Sequence, residues 1–285
     1  MEPKYFDVHA HVNFKAYEED RDAVISRALD AGVYMMNVGT QQDTSREAVE
    51  LAEKYASEGK TGLYAAIALH PVHTSKSHHD EKELGGEGKA FTSRGEEFDS
   101  NFYEELARHD VVKAIGECGL DYYRLEEDTA RLQKEVFIKH IEVANKVNKP
   151  LMLHIRNGAH QGSGDAAYKD AIEILKQYSK VKGDVHFFAG TWEVAQEFLA
   201  LGFTLSFTGV VTFTKDYDEV VRNTPLDMIL SETDCPYITP TPFRGKRNEP
   251  MHVREIVKAI ARIKELDEEV VRAQLVTNAK RVFNF

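Results

Sequence analysis

Histidines and carboxylates are the residues of this sequence best suited to chemistry, and there are 12 of the former. His9-Ala10-His11 sets two imidazoles at alternate positions, so on an extended segment both rings point to one side. Further along stand Gly116-Glu117-Cys118-Gly119-Leu120-Asp121, then His154, His186 and Glu232-Thr233-Asp234. Neutral imidazole and carboxylate oxygen are the ligands expected for Zn²⁺, Mn²⁺ and related divalent ions. Each group alone has a plain structural reading. A histidine inside an apolar strand is more often a hydrogen-bonded core residue, Glu117 beside a glycine could sit in a turn, and Asp234 could cap the next segment. A metal centre follows only if one fold brings them all to a common rim.

The elements available to do so alternate from end to end. Short apolar runs occur at 5–9, 33–38, 62–69, 111–115, 150–155, 184–188, 203–207 and 226–230, as expected of strands buried on both faces of a parallel sheet. Helical spacing is read between them at 21–31, 44–57, 129–147, 165–178, 192–201 and 252–264, with a weak segment at 215–223. Asp128 or Thr129 is the expected N-cap of the third of these helices. Eight such units suit an α/β fold of the closed (β/α)₈, or TIM-barrel, type, for which about 250 residues is typical. An open doubly wound sheet is the rival, but no G-x-G-x-x-G follows the first run. Residues 1–285 are read as one domain, with a long polar loop at 72–100 and a shorter one at 157–164. In a barrel of this kind working residues sit at the carboxyl ends of the strands, and the histidines and acids named above end five of the runs.

Composition narrows the classes. The 285 residues are 42% hydrophobic and 29% charged, as in an ordinary globular enzyme. No run of about 18 apolar residues is present, so no transmembrane helix is expected, and residues 1–10 lack the pattern of a secretory signal. Two cysteines, Cys118 and Cys235, are too few for a disulfide scaffold. The expected setting is cytoplasmic and the expected state a monomer. With 36 basic against 47 acidic residues the formal charge is −11, which excludes a globally basic nucleic-acid clamp while leaving room for a local patch. Arg244, Lys246 and Arg247 form one such patch, and Arg156 lies two residues beyond His154. These groups suit a phosphate-bearing substrate. His70, ending the third run, is a candidate contact to a substrate leaving group.

Four motifs carry a resemblance: Asp7-x-His9-x-His11, Gly116-Glu117-x-Gly119-Leu120-Asp121-Tyr122, Pro150-x-x-x-His154-x-Arg156 and Ser231-Glu232-Thr233-Asp234-x-Pro236-Tyr237. Together with the run from Pro240 to Pro250 and Asn278-Ala279-x-Arg281-Val282-Phe283, they resemble the TatD metal-dependent hydrolases of the amidohydrolase superfamily. The resemblance implies two divalent ions (Zn, Mn or Mg), the first on His9 and His11, the second on His154 and His186. Glu117 would bridge them, and Asp234 would touch the first ion and act as general base on the attacking water. It implies a deoxyribonuclease trimming 3′ ends of single-stranded DNA; some similar proteins are D-aminoacyl-tRNA deacylases, so hydrolysis of an ester or amide is the alternative. The sixth run departs from the family's usual H-C-F-S-G, reading His186-Phe187-Phe188-Ala189-Gly190.

Overall fold

In a computed structural model the described residues are 2–76, 78–79, 91–93, 95–123, 129–158 and 164–285. Residues 77, 80–90 and 94 of the 72–100 loop, residues 159–163 of the 157–164 loop and the expected cap Asp128 lie outside them. Eight strands form one parallel sheet in sequence order: β1 (Tyr5–Ala10), β2 (Val33–Val38), β3 (Leu63–Ile67), β4 (Val112–Asp121), β5 (Leu151–Arg156), β6 (Gly183–His186), β7 (Thr204–Phe207) and β8 (Ile229–Ser231). The sheet closes just beyond β8, where Ala10 bridges Cys235, Asp234 N–H donates to His9 O (2.9 Å) and His11 N–H donates to Cys235 O (2.9 Å). The fold is a (β/α)₈ barrel.

The period-2 alternation of strand side chains divides the core in two. Val33 and Met35 of β2 face the helix layer, whereas Tyr34, Met36 and Val38 join Phe6, Val8, Ala66, Ala114, Met152 and Leu230 in a separate inner cluster. Ala279 and Phe283 complete that inner cluster near the strand starts. The helices are α1 (Arg21–Asp30), α2 (Gln42–Ser57), α3 (Ser100–Leu106), α4 (Thr129–Val147), α5 (Ala166–Tyr178), α6 (Trp192–Ala200), α7 (Asp218–Asn223), α8 (Val253–Lys264) and α9 (Glu268–Phe283).

Four departures from the sequence reading have physical causes. The fourth run does not stop at 115 but continues as β4 to Asp121, so Glu117 lies within a strand and not in a turn. Gly119 permits the extension: its φ is +142°, and a Cβ there would stand 2.1 Å from His154 O on β5. The 226–230 run is a 3₁₀ turn, Leu226–Met228, before a three-residue strand. The weak 215–223 segment is helical only over Asp218–Asn223. Helices α3 and α9 were not anticipated. Asp99 caps the first, accepting from Asn101 and Phe102 N–H, and Asp267 caps the second, accepting from Glu269 and Val270 N–H. The inward stripe of α9 is interrupted by buried Asn278, which disguised its period.

That asparagine secures the short eighth strand. Its Nδ2 donates to Leu226 O and Ile229 O, both at 2.8 Å, and its Oδ1 accepts from Gln274 Nε2 at 2.8 Å. Asn278→Ala would take the side-chain donor from Ile229 O and leave Leu226 O with the Ile229 N–H alone, at an expected cost of about 1–3 kcal/mol. Urea unfolding measures it; a loss below about 0.5 kcal/mol would show the carbonyls find other donors.

Candidate metal centre

Glu117 stands at the middle of the carboxyl-terminal rim, 4% exposed. Its two oxygens face different histidines. Oε2 lies 3.3 Å from His9 Nε2 and 3.8 Å from His11 Nε2. Oε1 lies 2.8 Å from His154 Nδ1, 3.2 Å from His70 Nε2 and 3.5 Å from His186 Nε2. Asp234 Oδ1 joins the first group, 3.5 Å from His11 Nε2 and 3.9 Å from His9 Nε2. The structure thus brings together all six residues expected as ligands: His9, His11, Glu117, His154, His186 and Asp234.

For His11 and His70 a hydrogen bond on the far side of the ring fixes which nitrogen is bare. His11 Nδ1 lies 3.0 Å from Val38 O, and a carbonyl can only accept, so His11 carries its proton there and presents a lone pair at Nε2. That lone pair is 3.1 Å from His9 Nε2. His186 Nδ1 lies 2.9 Å from Glu232 Oε1, leaving its Nε2 toward Glu117. His70 is the opposite case. Its Nδ1 accepts from Val72 N–H (3.2 Å), so the proton of the neutral ring sits on Nε2 and points at Glu117 as a donor. Three sets of side-chain atoms are close enough to share an ion: His9, His11 and Asp234; His9, His186 and Glu232; His70, Glu117 and His154. The tautomer of His70 argues against the last set as a tripod and for His70 as a hydrogen-bond donor. Imidazole nitrogens and carboxylate oxygens converging in overlapping sets are a donor set that fits a divalent cation.

Electrostatics follow the same pattern. Burial opposes ionisation of Glu117, yet His70, His9, His154 and His186 together hold its carboxyl well below the usual range. Burial likewise opposes charge on His154, but hydrogen bonds to Asp121 (2.8 Å) and Glu117 lift it to about 9. Glu232 and Glu117 raise His186 to about 10 against the same opposition. His9, buried and beside His186, is depressed to about 4. Asp234, although buried, is held below its ordinary value by the hydrogen bond to His11 and the charges of His186 and His9. Its backbone φ is +53°, a strained position for a non-glycine residue that the bond from its N–H to His9 O helps to hold.

A second layer, of which only part was visible in sequence, aims these groups. Asp7 accepts from Thr233 N–H (2.8 Å) and Thr233 Oγ1 (2.6 Å), tying β1 to the Glu232-Thr233-Asp234 segment. Asp121 orients His154. Glu232 also accepts from Phe187 N–H (2.7 Å) and from Ser206 Oγ (2.8 Å), and Ser206 Oγ lies 2.6 Å from Asp184 Oδ2. Asp184 and Ser206 gave no signal in sequence because each sits in an apolar run without a motif.

The expected substrate contacts divide. His70 is at the centre, Arg156 is half-buried at the end of β5 beside Asp121, and Arg244 and Lys246 are exposed on the loop after β8. Arg247 is corrected to a structural role. Its guanidinium is bidentate to Asp20 (2.8 and 2.7 Å), donates to Ala16 O (2.7 Å) and lies 4.4 Å from the centre of the Tyr17 ring. Arg27 pairs with Glu249 beside it (2.7 and 2.7 Å), so this network clamps α1 to the loop after β8. Of the tyrosines that follow β4 and β8, Tyr122 is buried and donates to Asp170 Oδ2 (2.7 Å), while Tyr123 and Tyr237 are half-buried. Cys118 and Cys235 are free, buried thiols whose burial raises them above their ordinary range.

A barrel whose rim gathers histidines and acids around one shared carboxylate defines a metal-centre hydrolase, and comparisons give its family. The model of the family described as TatD related DNase matches residues 6–284, so the chain belongs to the TatD family of metal-dependent hydrolases. It is 39% identical over 283 residues to an uncharacterized metal-dependent hydrolase of Bacillus subtilis, covering 98% of each chain. A similarly described protein of Methanocaldococcus jannaschii is 30% identical over 280 residues, covering 98% of this chain and 97% of that one. Among solved structures, a TatD homologue from Escherichia coli superimposes with a TM-score of 0.80 at 25% identity over 100% of both chains. Among the described residues no helix is long and apolar enough to cross a membrane.

Two measurements follow. Protons on His154 and His186 must leave before those rings can hold a cation, so affinity for Zn²⁺ or Mn²⁺ should rise with pH from about 6 to about 9, close to tenfold per unit for each proton displaced. Titration calorimetry in buffers of different ionisation enthalpy should show proton release on binding; an affinity flat in pH would count against these rings as ligands. Arg247→Ala should lower the melting temperature by roughly 2–4 °C and leave metal content unchanged. An unchanged melting temperature would return Arg247 to the substrate side.

Proposed function

We propose that this chain is a deoxyribonuclease that shortens single-stranded DNA from its 3′ end, using two divalent cations (Zn, Mn or Mg). The observation that carries the reading is the division of Glu117: one oxygen toward His9 and His11, which Asp234 also faces, the other toward His154 and His186. One carboxylate serving two ligand sets is the arrangement a two-metal phosphodiesterase requires. The family description and the exposed cations Arg244 and Lys246 favour a phosphate diester over a neutral ester or amide.

Cations held by the two sets would lower the pKa of a water and draw charge from the phosphate. The protein's own groups do the rest. Asp234, kept ionised by its histidine neighbours, accepts the proton of the attacking water. His70 Nε2–H, which lies beside Glu117 Oε1, can hydrogen-bond the departing 3′ oxygen, which takes its proton from water. As the water oxygen bonds to phosphorus, the bond from phosphorus to that 3′ oxygen breaks, releasing a nucleotide with a 5′ phosphate and a strand shortened by one. Arg156 and Arg244 offset the charge of neighbouring phosphates.

The test is a single-stranded oligonucleotide carrying a label near its 5′ end, incubated with Mg²⁺ or Mn²⁺, with chelator, and with Asp234→Ala. Stepwise shortening from the 3′ end should require metal and fall about 10²–10⁴-fold in the variant. Metal bound without any shortening would reject the reading in favour of an ester or amide substrate, beginning with aminoacyl-tRNA.

A further inference from the structure

The loops that follow β7 and β8 are fastened together at the rim. Thr241 N–H donates to Thr212 Oγ1 (2.9 Å), and that hydroxyl donates in turn to Gly209 O (2.7 Å). Gly209 lies so close beneath the second loop that a Cβ there would stand 2.2 Å from Ile238 O. On this fixed base Phe213 is 46% exposed, more than any other Phe, Tyr or Trp ring among the described residues. The Arg244 guanidinium lies 4.3 Å from the centre of its ring, and Arg244 Nη1 donates to Thr239 O (2.8 Å). A comparable pair stands on another sector of the rim. Arg156, ending β5, lies 3.8 Å from the centre of the Tyr123 ring, which follows β4. The two pairs therefore flank β6, which carries His186.

Each pair combines a planar cation suited to a phosphate with an aromatic face suited to a base. We propose that they are two nucleotide-binding stations. Tyr123 and Arg156 hold the terminal nucleotide, because Arg156 is two residues from His154. Phe213 and Arg244 hold a nucleotide further inside the strand. The ligand of this rim is then a single strand with at least two unpaired, stackable bases, not an isolated phosphate ester. The inference rests on the nuclease reading and adds to it the part of the substrate that is recognised.

The test pairs a protein change with a substrate change. KM and kcat are measured on a single-stranded oligonucleotide, and on the same oligonucleotide made abasic at each of the three nucleotides nearest the 3′ end in turn. Phe213→Ala should raise KM about tenfold on the intact strand with little change in kcat, and Phe213→Trp should restore it. One internal abasic position should abolish the difference between wild type and Phe213→Ala, and the terminal abasic position should do so for Tyr123→Ala. An unchanged KM in Phe213→Ala, or an increase equally large on every abasic strand, overturns the inference while the nuclease reading stands. A wild-type chain that shortens no single strand overturns both.

Discussion

A carboxylate taken out of water is costly unless cations or hydrogen-bond donors surround it, and Glu117 is such a carboxylate. Its compensation comes from imidazoles on β1, β5 and β6 and from the turn after β3, so one side chain obliges four separated parts of the chain to meet. The barrel supplies that meeting place because its strand ends form a ring. It must still bring β4 further up the rim than its neighbours. The run from Gly116 to Asp121 does so, with a register shift between Gly116 and Cys118 and with Gly119 allowing the backbone to lie against His154. Glu117 then reaches the centre of the ring, and Asp121 reaches the far nitrogen of His154.

The layer beneath is as constrained as the ligands. Ser206 Oγ stands between Asp184 (2.6 Å) and Glu232 (2.8 Å), yet a hydroxyl has one proton to give. Two ionised carboxylates could not both be satisfied by it, so one of them must hold a proton and donate. Glu232 already accepts a backbone N–H and faces His186, as an anion does. Burial and the adjacent charge of Glu232 push Asp184 up to about 7, the direction that favours a proton on it. The chain of donors then runs from Asp184 through Ser206 to Glu232. Its effect is to keep Glu232 an anion facing His186 Nδ1, so that once the ring gives up a proton it is Nε2 that offers a lone pair toward the centre.

The residues gathered at the centre were legible in sequence because chemistry that needs imidazoles and carboxylates at strand ends leaves few alternatives once eight strands are counted. His9, His11, His154, His186 and Asp234 could be placed from the ends of apolar runs alone. Glu117 could be placed too, although its run was read six residues short. What escaped detection was set by tertiary context. Asn278 interrupts the apolar stripe of α9 because two carbonyls near β8 need its amide. Ser206 and Asp184 look like ordinary strand residues until β6, β7 and β8 lie side by side. Arg247 appeared to belong to a basic patch, because the acids that neutralise it, Asp20 and Glu249, come from two different segments.

That last reassignment bears on how an acidic protein could handle a polyanion. With Arg247 committed to Asp20, the loop after β8 offers Arg244 and Lys246, against a formal charge of −11 on the whole chain. Long-range attraction for a nucleic acid is then weak, and a binding mode that must neutralise many phosphates at once is unsuited to this surface. A short footprint is not. One or two phosphates can be met by Arg156 and Arg244 while bases contribute through stacking, which is insensitive to net charge. Repulsion from the remaining surface would then oppose contact along the body of a long strand more than contact at its end, so acidity itself would favour termini on the proposed reading. A net charge of −11, which in isolation argues against a nuclease, is what an enzyme working inward from a free end would tolerate.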